Sequence, residues 1–120
     1  MKVIEAVLET LGKRLPKKLR ENLASQLPGE LRPFVLEYNT AEFFSLDVFY
    51  QRVARRSELS FHDAVKHARS VMRVVREAVA PGQMRIIFAD LPPEFEELVG
   101  RLPEQMSGTT VDAHEYYSKR

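Results

Sequence analysis

A chain of 120 residues, 44% hydrophobic and 29% charged, is one domain's worth of sequence with enough apolar side chains to bury a core, which excludes disorder as the default state. The absence of cysteine excludes disulfides, thiol nucleophiles and thiolate metal sites. No apolar run approaches the roughly 18 residues of a membrane span, and the charged first residues lack a signal-peptide core, so a cytoplasmic protein with no membrane partner is expected.

The formal charge of +1 conceals an asymmetry: residues 1–76 hold 14 Lys/Arg against 9 Asp/Glu (+5), and residues 77–120 hold 4 against 8 (−4). A basic body with an acidic last third can neutralise itself internally or pair head to tail with a second copy.

In chain order, the apolar spacing predicts a first helix over about Lys2–Lys13 and a second over about Pro16–Gln26, with Leu19, Leu23 and Leu27 inward. A short helical turn follows Pro28. Pro33 should interrupt it, so that the helix restarts at Phe34. Six of the eleven aromatics crowd into residues 34–50. They are Phe34, Tyr38, Phe43, Phe44, Phe49 and Tyr50, and they read as a core hub more readily than as the lining of a ligand pocket. Ser45 is the N-cap candidate of a helix reaching about Arg55.

The dominant element is Ser60–Val79. Placed on a helical wheel, Phe61, Ala64, Val65, Ala68, Val71, Met72, Val75, Ala78 and Val79 share one broad arc, while His62, Lys66, Arg69, Arg73 and Arg76 form a narrow opposite stripe. Ser60 with Asp63 reads as a capping box, and Pro81-Gly82 stop the helix. Helices over about Pro81–Ala89 and Pro92–Gly100 follow. Met84–Phe88 is apolar enough to suggest a strand, but Pro81-Gly82 favours a helix start, so the prediction is all-α. The remainder, 101–120, is a C-terminal tail with Gly108 and a short helix near Val111–Ser118.

Displacing the sequence by 64 residues superposes Val7, Leu8, Leu11 and Leu15 on Val71, Met72, Val75 and Val79, and Leu23 on Ile87. Leu27-Pro28-Gly29-Glu30-Leu31 then meets Leu91-Pro92-Pro93-Glu94-Phe95, and Val35 meets Val99. The match is gapless. It predicts a compact helical bundle in residues 1–100 built from two pseudo-repeats, about 3–37 and 67–100, joined by helices within 45–66. Arg69 falls on Glu5, Arg73 on Glu9 and Glu77 on Lys13, so equivalent helices carry reversed charges. Antiparallel packing about a pseudo-twofold axis would set Arg73 against Glu5 and Arg69 against Glu9, which specifies register more than stability because exposed pairs contribute about 0–1 kcal/mol.

Two groups of cations are candidate binding surfaces. Lys66, Arg69, Arg73 and Arg76, with Arg52, Arg55 and Arg56 upstream, suit phosphates or an acidic partner, although internal pairing is the preferred reading. Lys13, Arg14, Lys17, Lys18 and Arg20 form the densest basic run, which lacks the interleaved aromatics of many nucleic-acid sites and reads first as a solubilising surface. Catalytic constellations are missing. His62 and His67 are five apart and diverge by about 140° on a helix, wrong for a shared metal. Asp63 and His67 make at most a local pair. Glu94, Glu96 and Glu97 are explained by a helix N-terminus. The five scattered glycines form no phosphate loop. No cofactor and no metal are expected, and the chain is not expected to be an enzyme.

Several strings together resemble the prokaryotic domain of unknown function family 2267. They are Val7-Leu8-Glu9-Thr10-Leu11 with Arg14-Leu15-Pro16, Gln26 to Arg32, Phe49 to Ala54, Ala64 to Ala78, and Leu91-Pro92-Pro93-Glu94-Phe95. The resemblance spans about residues 3–99 and implies an all-helical, internally repeated domain with no catalytic residues to carry over. The chain departs from it by starting directly at the first long helix and by its tail after Gly100. Val111-Asp112 and Tyr116-Tyr117 echo Leu46-Asp47 and Tyr50-Gln51, which suggests that 111–118 packs where a preceding helix would sit, on its own chain or on a second one. The function expected is a structural or protein-interaction module, possible as a homo-oligomer. The alternative is a nucleic-acid-binding module using the basic stripe.

Overall fold

The structure, a computed structural model, describes residues 2–100; the helix expected at 111–118 lies outside the described residues. These form α1 (Lys2–Arg14), α2 (Lys17–Ser25), a 3₁₀ segment (Gly29–Leu31), α3 (Arg32–Val35), α4 (Leu46–Ser57), α5 (Phe61–Ala78), α6 (Pro81–Ala89) and a second 3₁₀ segment (Pro93–Leu98), with no strand among the described residues.

The helix starts follow from local chemistry. Ser45 Oγ accepts from the Val48 N–H at 3.2 Å, and Ser60 Oγ accepts from the Asp63 N–H at 3.0 Å, each satisfying a backbone donor that the helix itself leaves open. Pro81 opens α6, where a missing N–H costs nothing. The same logic corrects the expectation for Pro33. It sits at the second position of α3, inside the first turn, so the helix passes through it and ends at Val35 instead of restarting at Phe34.

α1, α4 and α5 pack pairwise as a central group. α3 lies on α1, α2 touches α3 and α6, and the second 3₁₀ segment closes over α5 and α6. The core collects Leu8, Leu11 and Leu15 from α1 and its end, Leu23 from α2, Phe49 and Val53 from α4, Ala64, Ala68 and Met72 from α5, Met84 and Ile87 from α6, and Phe95 and Leu98. Full burial of a side chain such as Phe49 contributes about 1.5–3 kcal/mol. Phe95, Phe49, Tyr50 and Phe61 meet edge to face in series, with centroids 5.9–6.1 Å apart, and tie the second 3₁₀ segment through α4 to α5.

Two expectations change in detail. The buried stripe of α5 is narrower than its apolar arc: Phe61 and Ala78 are exposed and Val65 and Val71 half-buried, so α1, with Ala6, Val7, Leu8 and Leu11 inside, is equally central. Glu9, expected to face Arg69, is instead held by Arg56 of α4, whose Nη2 also donates to the Tyr38 hydroxyl at 2.7 Å. The physical reason is the packing order: α4 runs against α1 and brings its own arginine to that carboxylate.

Candidate functional site

The densest basic run does not form a surface. Arg14 is 4% exposed and Arg20 3% exposed. Arg20 donates from Nε to the Gly12 carbonyl at 2.9 Å and from Nη2 to the Leu15 carbonyl at 2.8 Å, which satisfies acceptors at the end of α1. Arg14 Nε donates to the Phe44 carbonyl at 2.9 Å, and its guanidinium lies 5.0 Å from the Phe43 ring centre and 5.3 Å from that of Phe95. Burial pushes the Arg14 guanidinium below its ordinary value, against the opposing negative charges of Asp90 and Glu94. Lys13 rests 4.6 Å from the Tyr38 ring centre. Only Lys17 and Lys18 of this candidate group are exposed, and Lys17 approaches Glu21 at 4.0 Å. The cluster therefore divides into two interior arginines that hold carbonyls and a few solvated lysines.

The aromatic region divides in the same way. Phe49 and Tyr50 are core, Phe34, Tyr38 and Phe44 are half-buried, and Phe43 is 77% exposed. Tyr38 and Phe44 serve as plates for cations: Arg56 lies 5.7 Å from the Tyr38 centre, and Arg52 lies 4.1 Å from the Phe44 centre while gripping Glu42 through two hydrogen bonds of 2.9 and 3.1 Å. That grip holds the Glu42 carboxyl below the usual carboxylate range. The Tyr50 phenol is pushed well above its ordinary value, first by burial and then by the charge of Glu97, to which it donates at 3.4 Å.

The stripe on α5 also separates. Arg76 is half-buried and donates from Nη1 to the Val99 carbonyl at 2.6 Å, a structural tie. Arg69 and Arg73 line a hollow of about 170 Å³ with Leu98, Val99 and Gly100. Lys66 is exposed on the same flank. Of the predicted surface, the structure keeps Lys66, Arg69 and Arg73 together and removes Arg76 to packing.

An apolar groove lies on the neighbouring flank of α5, and the sequence reading did not anticipate it. Ile4 and Leu8 of α1, Leu27, Pro28 and Leu31 of the turn, and Ser70, Val71, Val74, Val75 and Ala78 of α5 enclose about 280 Å³. Ser70 is the one polar residue in that lining. The groove exists because small side chains, Ser70 and Ala78, stand where α5 faces the turn after α2, so neither helix can fill the space between them. Val74, 64% exposed, stands at its mouth. The available signal was Val74 itself, an aliphatic residue lying off the predicted apolar arc and beside the small positions 70 and 78.

Among the described residues no three His, Asp or Glu side chains gather as a metal-binding group, and no helix is long and apolar enough to cross a membrane. His62 and His67 are both exposed on α5. Residues 1–98 match a family model described as an uncharacterized conserved protein, DUF2267. No curated protein and no solved structure matches the chain.

Proposed function

We propose that this chain, which belongs to the DUF2267 family, is a non-catalytic protein-interaction module that receives an apolar segment in the groove between α1 and α5. The observation that carries this reading is the groove's lining: nine of the ten residues bordering it are apolar, and Val74 presents its side chain to solvent at the mouth. An exposed aliphatic beside an unfilled apolar hollow gains free energy when another apolar side chain covers it, at about 25 cal/mol per Å². Grooves of this kind accept amphipathic helices through anchors at i, i+3 or i+4, and i+7.

The duplicated architecture belongs to the same reading. What supports it is local geometry repeated at an offset of 64. α2 and α6 occupy 17–25 and 81–89, α1 and α5 end at 14 and 78, and the 3₁₀ segments begin at 29 and 93. The turn hydrogen bonds also repeat: Gln26 N–H to Leu23 and Asp90 N–H to Ile87, Leu27 to Ala24 and Leu91 to Phe88, Leu31 to Pro28 and Phe95 to Pro92. A Gln26 Oε1 bond to the Ala80 N–H, at 2.8 Å, ties the end of one copy to the start of the second helix of the other.

The test is fluorescence anisotropy with synthetic helical peptides carrying aliphatic residues at i, i+4 and i+7, and scrambled controls. The full chain should bind saturably, and Val74→Glu should weaken binding at least tenfold without lowering the melting temperature, because position 74 is already exposed. Equal binding by Val74→Glu overturns the groove reading. If the chain instead binds heparin with a steep salt dependence that Arg69→Glu/Arg73→Glu abolishes, the nucleic-acid alternative replaces it.

A further inference from the structure

The α5 wall of the groove has two unlike flanks about Val74. Ser70 and Ala78 lie one turn before and after Val74, about 40° to either side of it around the helix. On one flank Glu77 lies about 60° and Arg73 about 100° from Val74. On the other, where the hollow opens, Val71 lies about 60° and Val75 about 100° from it. Ser70, Arg73, Val74, Glu77 and Ala78 are all exposed. Val74 therefore stands between two small residues, with a cation and an anion on one side and aliphatic side chains on the other.

A surface with this pattern is complementary to itself in one orientation. In a twofold pair every contact occurs twice, residue i on j and j on i. When the two helices run antiparallel, each flank meets the same flank of its partner. When they run parallel, the flank with Arg73 and Glu77 is laid against aliphatic side chains. The antiparallel pair centred on Val74 sets Arg73 about 3 Å along the axis from the partner's Glu77, within reach of two long side chains, and does so in both copies. It also sets Ser70 level with the partner's Ala78, so small residues let the helices close on Val74. Val71, Val74 and Ala78 have the i, i+3, i+7 spacing of an anchor row, so α5 supplies both a wall of the groove and a segment of the kind that covers it.

We infer that the segment covering the groove is α5 of a second copy: the chain forms a twofold dimer in which antiparallel α5 helices meet at Val74 and Arg73 pairs with the partner's Glu77. This rests on the groove being a docking site, and it names the occupant. Aliphatic contact holds the pair together, while the charges fix its direction and register, because a parallel or shifted pairing leaves Arg73 and Glu77 over apolar side chains. A helix of another protein enters only by displacing the second copy, so dimerisation and peptide binding exclude one another.

Sedimentation equilibrium of the full chain over a concentration series reads the association. The mass should rise from 13.8 kDa towards twice that value, and the helical peptides should return it to 13.8 kDa. Val74→Glu should weaken association at least tenfold. Arg73→Glu and Glu77→Arg should each do the same by setting like charges face to face, and the double variant Arg73→Glu/Glu77→Arg should recover the wild-type constant to within about threefold. All three positions are exposed, so the variants should keep the wild-type melting temperature of the monomer. A chain that stays at 13.8 kDa at its highest soluble concentration overturns the dimer, as does an association indifferent to Val74→Glu. A double variant as weak as the single ones overturns the antiparallel register. Peptide binding that Val74→Glu weakens, in a chain that never dimerises, rejects the second copy while leaving the groove reading intact; loss of both rejects both.

Discussion

Positions 12 and 35 in the first half of the chain, and positions 76 and 99 in the second, make the most informative comparison in the molecule. In the first half Gly12 meets Val35 backbone to backbone, and a Cβ on Gly12 would lie 2.2 Å from the Val35 carbonyl oxygen. Sixty-four residues later the glycine's place is taken by Arg76, whose guanidinium reaches the carbonyl of Val99. The first pair joins α1 to the end of α3, and the second joins α5 to the residue that follows the second 3₁₀ segment. One does so by removing a side chain, the other by extending one, and only the second leaves room for a hollow lined by Arg69 and Arg73.

The pair 20 and 84 shows the same contrast in polarity. Arg20 and Met84 are both buried, but Arg20 caps two carbonyls at the end of α1, whereas Met84 is an apolar filler between α6 and its surroundings. The two regions are thus closed by different chemistry. The first half is sealed by a glycine and buried arginines; in the second, Arg76 is half-buried against the Val99 carbonyl while Lys66 and Arg73 stay exposed.

The comparison can be broken most sharply at Gly12. Gly12→Ala should destabilise the fold by about 3 kcal/mol despite alanine's better helix propensity, because the added methyl strikes backbone that no rotamer can move; a melting temperature equal to that of the wild type would remove the close approach from the picture. Arg20→Met, which copies the residue at position 84, should cost about 2 kcal/mol in denaturant unfolding, because the Gly12 and Leu15 carbonyls lose a charged donor. If it is neutral, the two halves are interchangeable at that position and the contrast in polarity carries no energy. The smallest effect is expected at Arg76→Met: about 1 kcal/mol, since the side chain is only half-buried, together with faster amide exchange in the second 3₁₀ segment.

Helix positions were readable from residues because their causes are local. Ser45, Ser60, Pro81 and the Leu-Pro punctuation act within one turn, and the elements begin within a residue or two of where they predict. Pro33 was misread because the rule that proline ends a helix yields to its tolerance in a first turn, and the start of α3 depends on the preceding 3₁₀ segment. The candidate surface fared worse. Lys13, Arg14, Lys17 and Lys18 look alike in a string of cations, yet Arg14 is enclosed by Phe43, Phe44 and Phe95, residues 29 to 81 positions away, and no short window contains that information. The stripe at 66, 69, 73 and 76 lost Arg76 for the same reason, since Val99 is 23 residues distant.

By itself the amino-acid sequence determined an all-helical fold, the helix boundaries other than those of α3, and which face of each long helix is apolar, because capping, proline and periodicity operate between residues fewer than about five apart. Only the tertiary structure decided which cations are scaffolding, that Glu9 belongs to Arg56, and that an apolar groove stays open beside Val74. Those outcomes depend on which side chains several helices bring to one place and on how much space their small residues leave between them.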